Sequence, residues 1–329
     1  MEYTTLGNTG MKVSRIALGC MSFGSTEWRD WVLEKEESRP IIERAIDLGI
    51  NFFDTANVYS NGESERILGT VLSEYDRDSL VVATKVYNEM DESNPNASGL
   101  SRKAIEQELE HSLDRLGMDT IDLYQTHRWD YETPIEETLR TLDDAVRRNQ
   151  VRYIGASSQW AYQFAESLHT SDRVNLERFQ TMQNHYNLVY REEEREMNPL
   201  LEREGVGAIP WSPLARGYLT RPHEEFLDTI RGQYMDDSRF ADRIDNYRAN
   251  GGDEVNERVD ELAEEKGVTM AQIALAWLLH QDVVDAPIIG TTSVEHLEDA
   301  VEALDIDLSD SDLEYLEEPY EPVPIDGHE

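Results

Sequence analysis

Cysteine is almost absent from the sequence, because Cys20 is the only one among 329 residues. A single cysteine cannot form a disulfide within the chain, and it excludes metal sites built on two cysteines. Long apolar runs are also missing, since no stretch approaches the ~20 residues of a membrane span. The first residues, MEYTTLGNTG, lack the basic start and apolar stretch of a signal peptide. These absences predict a cytoplasmic protein without membrane association.

Lysine is scarce as well. Five lysines are present, and 30 basic residues stand against 68 acidic ones, which gives a net charge of -38. Nucleic-acid phosphates are bound by patches of lysine and arginine, so we expect no nucleic-acid partner. The acidic residues are spread over helical faces between apolar patterns, which argues against disorder. A lysine-poor acidic surface is typical of a salt-rich cytoplasm, where screening relieves self-repulsion, and it predicts a halophilic source.

Eight short apolar runs alternate with amphipathic helical patterns. Several runs are nearly continuous in apolar residues, as expected of parallel strands buried on both faces. The alternation predicts an α/β fold, namely a (β/α)8 TIM barrel with long βα loops, formed by residues 1–329 as one domain. The predicted strands are residues 15–21, 51–56, 80–86, 121–127, 151–157, 179–185, 207–213 and 286–292.

A doubly wound sheet is the alternative fold. Such a sheet usually carries a G-x-G-x-x-G loop after its first strand, and none is found here. Residues 3–19 contain a turn at Gly7–Gly10 and predict a β-hairpin ahead of the barrel. The longest irregular stretch, 217–252, follows the seventh predicted strand, and loops at that end of a barrel build the active-site face.

Helix boundaries are indicated by residues that satisfy free backbone groups. Ser101 precedes an apolar stripe as a predicted N-cap, and Gly117 follows it as a predicted stop. Thr133 stands three residues before Glu136, which predicts a capping box. Two successive helices are predicted to be separated near Gly267.

Four titratable residues occupy equivalent places at predicted strand ends. Asp54, Lys85 and His127 lie at the carboxyl ends of the second, third and fourth strands, and Tyr59 follows in a loop. Because those ends meet at one mouth of a barrel, we expect the four side chains to share one space.

The chemistry of these four residues fits together. An unpaired ammonium at Lys85 within VVATKV would be costly, and Asp54 can neutralise it. A lysine beside a phenol favours the phenolate, and at ~4 Å and an effective dielectric of about 20 a unit charge supplies on the order of 4 kcal/mol. Tyr59 is therefore predicted to exchange a proton near neutral pH, with His127 orienting an oxygen substituent. Such a site can protonate a carbonyl oxygen while the carbon is attacked.

The same segments resemble the aldo-keto reductases. YTTLGNTGMKVSRIALGCMSFG, FFDTANVYSNGESERILG, VVATKV and LYQTHRWD are similar to the family's opening and to its aspartate–tyrosine, lysine and histidine segments. YIGASS, MQNHYNL, WSPLARGYL and AQIALAWLL follow in the family's order. The resemblance implies an NAD(P)H-dependent reductase with a tetrad of Asp54, Tyr59, Lys85 and His127, acting without a metal on a small carbonyl or alcohol substrate.

The resemblance also implies a set of cofactor-binding residues. Ser157, Ser158 and Gln183 match the group that binds the nicotinamide carboxamide, and Trp211 matches the aromatic that stacks on the ring. The further residues match the pyrophosphate loop, the adenosine end and positions beside them: Met21, Asp54, Ser212, Pro213, Leu214, Arg216, Arg239, Gly290, Thr292, His296 and Asp299.

Some positions depart from the family's pattern. Many members carry arginine or lysine near Thr292, Ser293 or His296 to bind the 2′-phosphate of NADP, whereas this chain has TTSVEHLEDA. Many carry asparagine where Ser158 stands, and asparagine is common where Ala300 stands. The expected cofactor is therefore NADP(H), with NAD(H) as the alternative.

Other functions share these residues. A lysine inside a barrel can form a Schiff base, so Lys85 could serve an aldolase. Potassium-channel β subunits resemble the family and keep the tetrad, so a non-metabolic, nicotinamide-binding redox sensor is a second alternative. Substrate specificity is expected to lie in the loops 22–38, 87–99, 128–132 and 217–252, and the oligomeric state stays open.

Overall fold

Eight parallel strands curl around a common axis with helices outside them. In the computed structural model, residues 1–226, 238–325 and 327–328 are described, the side chains of 238–241 and 250 excepted. Strands β1 (Tyr3–Thr5) and β2 (Lys12–Ser14) form an antiparallel hairpin, as predicted. The sheet contains β3 (Ala17–Gly19), β4 (Phe52–Asp54), β5 (Val81–Val86), β6 (Ile121–Thr126), β7 (Val151–Ser157), β8 (Phe179–Gln183), β9 (Gly207–Ala208) and β10 (Ile288–Gly290).

The order of these strands closes the barrel. Strands β3 to β9 are neighbours in sequence order, and β10 pairs with β3. Between β9 and β10 the backbone of Ala208 donates to the carbonyl of Val283 at 3.1 Å, and that of Ile288 donates to Pro210 at 2.9 Å. The (β/α)8 barrel is therefore confirmed, and a doubly wound sheet, which stays open, is not the fold.

Helices surround the sheet as an outer ring. The ring closes on itself, because the helix of residues Val294–Glu302 contacts the first helix, Lys35–Asp47. Among the described residues, no helix combines the length and apolar character needed to cross a bilayer. The helices are α1 (Lys35–Asp47), α2 (Glu63–Leu72), α3 (Arg102–Leu116), α4 (Ile135–Arg147), α5 (Ala161–Val174), α6 (Met197–Glu204), α7 (His223–Phe226), α8 (Ser238–Tyr247), α9 (Asp253–Lys266), α10 (Met270–Leu279), α11 (Val294–Glu302) and α12 (Asp310–Glu317).

The ends of α3 follow the predicted caps. The Ser101 hydroxyl accepts a hydrogen bond from the backbone of Ala104 at 3.3 Å, and Gly117 ends the helix with a φ of 64°. A left-handed residue at this point satisfies the last carbonyls at little steric cost when it is glycine. The predicted break near Gly267 is confirmed too, since α9 ends there with a φ of 70°.

The predicted capping box at Thr133 is wrong. Helix α4 begins after Pro134, and the Thr133 hydroxyl donates instead to Asp130 Oδ2 at 2.7 Å. The same carboxylate accepts the backbone N–H of Leu100 at 2.7 Å. Asp130 Oδ1 accepts the backbone N–H of Thr133 at 3.3 Å as well, so Asp130 organises the loop before α4 in place of the predicted capping box.

The stretch 217–252 is more regular than predicted. Helices α7 and α8 lie within it, and residues Arg248–Gly252 form a π-helical turn. Residues 227–237 of this stretch lie outside the described residues. The prediction of an irregular segment is therefore wrong for much of its length.

The barrel interior changes from apolar to polar along its axis. Leu6 and Val13 of the hairpin pack with Phe52, Ala83 and Leu123 in one apolar cluster. Because side chains in a strand alternate between its two faces, the next inward positions after these strand residues are Asp54, Lys85 and Gln125. The hairpin thus covers the amino ends of the strands, and polar residues collect at the carboxyl ends.

Candidate active site

An ion pair lies at the centre of the polar end. Lys85 Nζ donates to Asp54 Oδ1 at 2.6 Å and to the Thr55 carbonyl at 2.8 Å. The side chain of Lys85 is 0% exposed and that of Asp54 is 3% exposed. A buried charge of this kind is stable only when it is paired and hydrogen-bonded, and both conditions hold here.

The candidate proton donor touches this pair. Lys85 Nζ also lies 3.3 Å from the hydroxyl oxygen of Tyr59 and 4.9 Å from the centre of its ring. Burial disfavours the ammonium, but Asp54 and Tyr59 outweigh that effect and raise the pKa of Lys85. Lys85 therefore remains a cation that donates to the phenol oxygen.

The second oxygen of Asp54 accepts two amides. Gln183 Nε2 donates to Asp54 Oδ2 at 2.9 Å, and Gln125 Nε2 donates to it at 3.0 Å. Both amides come from buried strand ends, so the carboxylate is fully hydrogen-bonded and its orientation is fixed.

His127, which follows β6, faces Tyr59, which follows β4, across the end of β5. The two rings meet edge to face, with their centres 5.8 Å apart. Burial, and then the charges of Lys85 and Arg128, hold the pKa of His127 well below its usual range. The Asn88 amide nitrogen lies 3.1 Å from His127 Nδ1, and since an amide nitrogen only donates, Nδ1 is the acceptor. The proton of the neutral ring is then on Nε2.

Two serines adjoin the tetrad. The Ser157 hydroxyl donates to the Gln183 carbonyl at 2.8 Å and lies 3.2 Å from the Ser158 hydroxyl. Ser158 has a φ of 52°, a left-handed conformation that turns its side chain out of the strand direction. Trp211 Nε1 donates to Ser158 Oγ at 3.1 Å. This hydrogen bond links Trp211 to the two serines.

Trp211 belongs to an aromatic stack. Its ring lies parallel to that of His185 with centres 4.2 Å apart, and Tyr190 stacks on the opposite side of His185 at 4.0 Å. The Tyr247 hydroxyl is 2.7 Å from His185 Nε2. Burial is the largest of the effects that keep the pKa of His185 well below its usual range. The uncharged, fully buried ring of His185 therefore packs against one face of Trp211.

The loop after Trp211 has an unusual backbone. Ser212 has a φ of 53°, and Ala215, Arg216 and Gly217 follow with φ of 48°, 61° and 96°. The backbone N–H groups of Ala215 and Gly217 donate to the carbonyls of Ser212 and Leu214 at 3.0 and 2.8 Å, so these left-handed residues close a tight turn. Pro213 and Leu214, which the resemblance assigns to the pyrophosphate loop, lie within this turn.

The remaining predicted residues border the same face. Met21, 36% exposed, follows β3, and Gly290 ends β10 with open space where a side chain would stand. Thr292 and His296 are exposed at the start of α11, and Asp299 is half-buried in that helix. Arg239 lies in α8, but its side chain is outside the described part of the chain.

Sequence reasoning missed several contacts of this site. Gln125 stands two residues before His127 on the same strand, so the period of two could have placed it beside Asp54. His185 is a buried support for Trp211, and no motif around it in the sequence pointed to that contact. Asn88 follows β5 in a loop, and no sequence signal pointed to its contact with His127.

Comparison with known proteins identifies the family. The aldo/keto reductase family profile matches residues 15–321. An aldo-keto reductase of Metarhizium robertsii is 43% identical, with 100% of this chain and 93% of the relative aligned. A putative aryl-alcohol dehydrogenase of Schizosaccharomyces pombe is 44% identical (99% and 97% aligned), and the versiconal hemiacetal acetate reductase of Aspergillus parasiticus is 41% identical (99% and 98% aligned). The chain therefore belongs to the aldo/keto reductase family of oxidoreductases.

Proposed function

We propose that this protein reduces an aldehyde or a ketone to an alcohol with a nicotinamide cofactor, and that Tyr59 is the proton donor. The observation that carries the proposal is the position of Lys85, whose ammonium contacts both Asp54 and the oxygen of Tyr59 in a buried site. This arrangement stabilises negative charge on that oxygen at the moment when its proton leaves.

The residues around the tetrad fit such a cofactor. Ser158 and Gln183 offer hydroxyl and amide groups beside Asp54, as a carboxamide requires. Trp211 offers an aromatic ring that stacks on His185 and has the Arg243 guanidinium 5.3 Å from its centre. The tight turn at Ala215–Gly217 carries Arg216, a cation suited to a pyrophosphate. When bound, the reduced nicotinamide supplies the hydride that attacks the carbonyl carbon.

The protein's own part is proton transfer and orientation. We place the carbonyl oxygen between the Tyr59 hydroxyl and Nε2 of His127, where the neutral ring donates a hydrogen bond. Tyr59 gives its proton to that oxygen as the carbon becomes tetrahedral, and the resulting phenolate is held by Lys85. Reprotonation of Tyr59 from solvent completes the cycle, and oxidation of an alcohol follows the reverse path.

The geometry disfavours the aldolase alternative. A lysine that forms a Schiff base must lose its proton, which requires a lowered pKa. The pKa of Lys85 is raised, because Asp54 and Tyr59 outweigh the effect of burial. Its three donated hydrogen bonds leave no lone pair for attack on a carbonyl carbon.

The substrate side of the site includes the loop before α1. Ser25 donates its backbone N–H to the Ser60 hydroxyl at 2.9 Å, which holds this loop next to Tyr59. The loop carries Trp28 and Trp31, both half-buried, with the Arg29 guanidinium 4.9 Å from the ring of Trp28. Together with the aryl-alcohol dehydrogenase among its relatives, these aromatic residues favour an aromatic carbonyl compound as the substrate.

The function is tested by turnover. Purified protein is titrated with NADPH and NADH, and the tighter cofactor is used with a panel of aromatic and aliphatic aldehydes and ketones. Consumption of the reduced cofactor that depends on a carbonyl compound is the expected result. Tight cofactor binding without turnover of any member of the panel would contradict the proposal and favour the redox-sensing alternative.

We expect modest discrimination between the two cofactors, with NADPH preferred. Residues 288–302 contain no lysine or arginine, and Arg44, which reaches α11 from α1, is paired with Glu298 at 2.6 Å. A 2′-phosphate at the start of α11 therefore meets hydroxyls and His296 rather than a free cation. The dissociation constants of NADPH and NADH are the measurement, and a ratio of a thousand or more would show that another arginine binds the 2′-phosphate.

We also propose that the acidity is an adaptation to salt. Acidic side chains outnumber basic ones by 68 to 30, so their carboxylates repel one another in the folded state. The Debye length falls from about 30 Å at 0.01 M to about 3 Å at 1 M, so salt confines this repulsion to near neighbours. The melting temperature and the activity are therefore expected to rise together between 0.05 and 2 M KCl, and a flat or falling melting temperature would refute the adaptation.

A further inference from the structure

A buried polar network lies outside the barrel, behind the residue proposed to donate the proton. It joins α2, α3 and β5 through Glu65, Glu108 and Arg115, whose side chains are 0%, 3% and 9% exposed. Arg115 Nε donates to Glu65 Oε2 at 2.6 Å, and its Nη2 lies 3.7 Å from Glu108 Oε2. None of these three groups takes part in the proposed reaction.

The loop that carries Tyr59 depends on its surroundings for its shape. Tyr59 is followed by three residues in left-handed conformations, Ser60, Asn61 and Gly62, with φ of 49°, 52° and 90°. Conformations of this kind outside glycine persist only where neighbouring contacts over-determine them. The position of the Tyr59 hydroxyl therefore rests on whatever holds the two ends of this loop.

The first end is held through Asn57. Its side-chain amide donates to Glu108 Oε2 at 3.0 Å, and its backbone N–H donates to the Lys85 carbonyl at 3.2 Å. Asn57 is fully buried and precedes Tyr59 by two residues. The start of the loop is thus hydrogen-bonded to Glu108 on α3 and to the backbone of Lys85, whose ammonium contacts Tyr59.

The second end is held through Gly62. A side-chain carbon added at Gly62 would lie 2.5 Å from Cδ of Arg115, so the arginine packs directly against the backbone there. Arg115 is fixed in turn by Glu65, which accepts the Thr84 hydroxyl at 2.6 Å on its other oxygen. Thr84 precedes Lys85 on β5, so this end is also connected to the strand that carries the lysine.

We propose that Glu108 and Arg115 are positioning residues that set the Tyr59 hydroxyl at its distance from Lys85 by holding both ends of the Tyr59 loop from one face of α3. The two residues are seven positions apart, which is two helical turns and about 10 Å along the axis. This inference rests on the proposed function, because it takes Tyr59 as the proton donor.

A positioning role differs from a purely structural one in what it changes. Proton transfer needs heavy atoms within about 2.6–3.2 Å, and a misplacement of ~1 Å can reduce the rate about 10²-fold. The proposed cofactor residues Ser158, Gln183 and Trp211 lie at or after the ends of β7, β8 and β9, away from the Tyr59 loop, so loosening of that loop should not alter cofactor affinity. Displacement of the Tyr59 hydroxyl therefore lowers kcat and leaves the cofactor dissociation constant unchanged.

The test compares two substitutions at one site. Glu108→Leu removes the acceptor of Asn57, whereas Glu108→Gln keeps an acceptor oxygen at the same length. We expect Glu108→Leu to lower kcat for carbonyl reduction tenfold or more with the cofactor dissociation constant within threefold, and Glu108→Gln to restore most of kcat. Cofactor affinity is read from quenching of tryptophan fluorescence, and kcat is expressed per folded molecule. Should Glu108→Leu not fold, Asn57→Ala cuts the same contact from the loop side, and the same result is expected.

Asp122 offers a matched control. It is 4% exposed and pairs with Arg77 at 2.6 Å and with Arg152 at 3.1 Å near the start of β6, at the opposite end of the barrel. Asp122→Leu removes an equally buried carboxylate, so it should lower the melting temperature while kcat per folded molecule stays near wild type. Equal loss of kcat in both leucine variants would overturn the proposal, as would wild-type kcat in folded Glu108→Leu protein.

Tyr59→Phe, measured in parallel, separates this inference from the proposed function. An inactive Tyr59→Phe together with a fully active Glu108→Leu removes the inference alone. A fully active Tyr59→Phe removes the proposed function, and the inference fails with it.

Discussion

Replacement of Tyr59 by phenylalanine is expected to lower kcat for carbonyl reduction by about 10² or more, which is the usual contribution of a positioned general acid. The hydroxyl is the only group that the substitution removes, and its oxygen lies 3.3 Å from the Lys85 ammonium. The phenyl ring still fills the same space and still faces His127. The carbonyl oxygen then has no positioned proton donor, whereas the cofactor contacts are untouched.

The measurement separates chemistry from binding. Steady-state kinetics give kcat, and a fluorescence titration gives the cofactor dissociation constant, which should equal that of wild type. Tyr3→Phe is a suitable control, because that tyrosine is 53% exposed on β1 of the hairpin, which covers the opposite end of the barrel. Wild-type turnover in Tyr59→Phe would exclude the residue as the proton donor.

The tetrad was predictable because three of its members are strand-end residues. Asp54, Lys85 and His127 each follow apolar strand residues with a period of two, and parallel strands bring such ends together without further information. Their proximity therefore follows from topology alone. The same rule would have found Gln125, which occupies the inward position before His127.

Contacts that depend on the packing of distant segments were not predictable. The stack of Trp211 on His185 joins the ends of two strands, and Tyr247 reaches it from α8. No local pattern in the sequence specifies such a stack, since each aromatic residue alone is compatible with ordinary core packing. The helices α7 and α8 within 217–252 were also missed, and α7 has only four residues.

Local competition explains the wrong helix start at α4. Thr133 and Glu136 have the spacing of a capping box, but Asp130 lies close enough in sequence to accept the Thr133 hydroxyl first. Asp130 Oδ1 also accepts the backbone N–H of Thr133 at 3.3 Å, the donor that Glu136 would have used in a capping box. The loop is then organised around Asp130, and the helix begins after Pro134 with its fixed φ.

Replacement of Lys85 by methionine should abolish activity and reduce stability together. The substitution leaves the Asp54 carboxylate buried with two amide donors and no cation. Breaking a buried ion pair by removing one partner typically costs about 3–5 kcal/mol. Because the pKa of Lys85 is raised, the contribution of the pair is complete below the ordinary lysine pKa and is lost only at more alkaline pH, so the deficit should be constant through the neutral range.

A double substitution distinguishes the two roles of the lysine. Asp54→Asn combined with Lys85→Met removes both charges, and the asparagine carbonyl can still accept the amides of Gln125 and Gln183. Neighbouring residues of one network couple strongly, so the pair should recover much of the melting temperature that Lys85→Met loses. Activity should stay absent, because no cation remains to hold the phenolate of Tyr59. Denaturant unfolding and steady-state kinetics on the wild type, Lys85→Met and the double variant are the measurements. Retention of both activity and melting temperature in Lys85→Met would mean that the ion pair supports neither the fold nor the proton transfer.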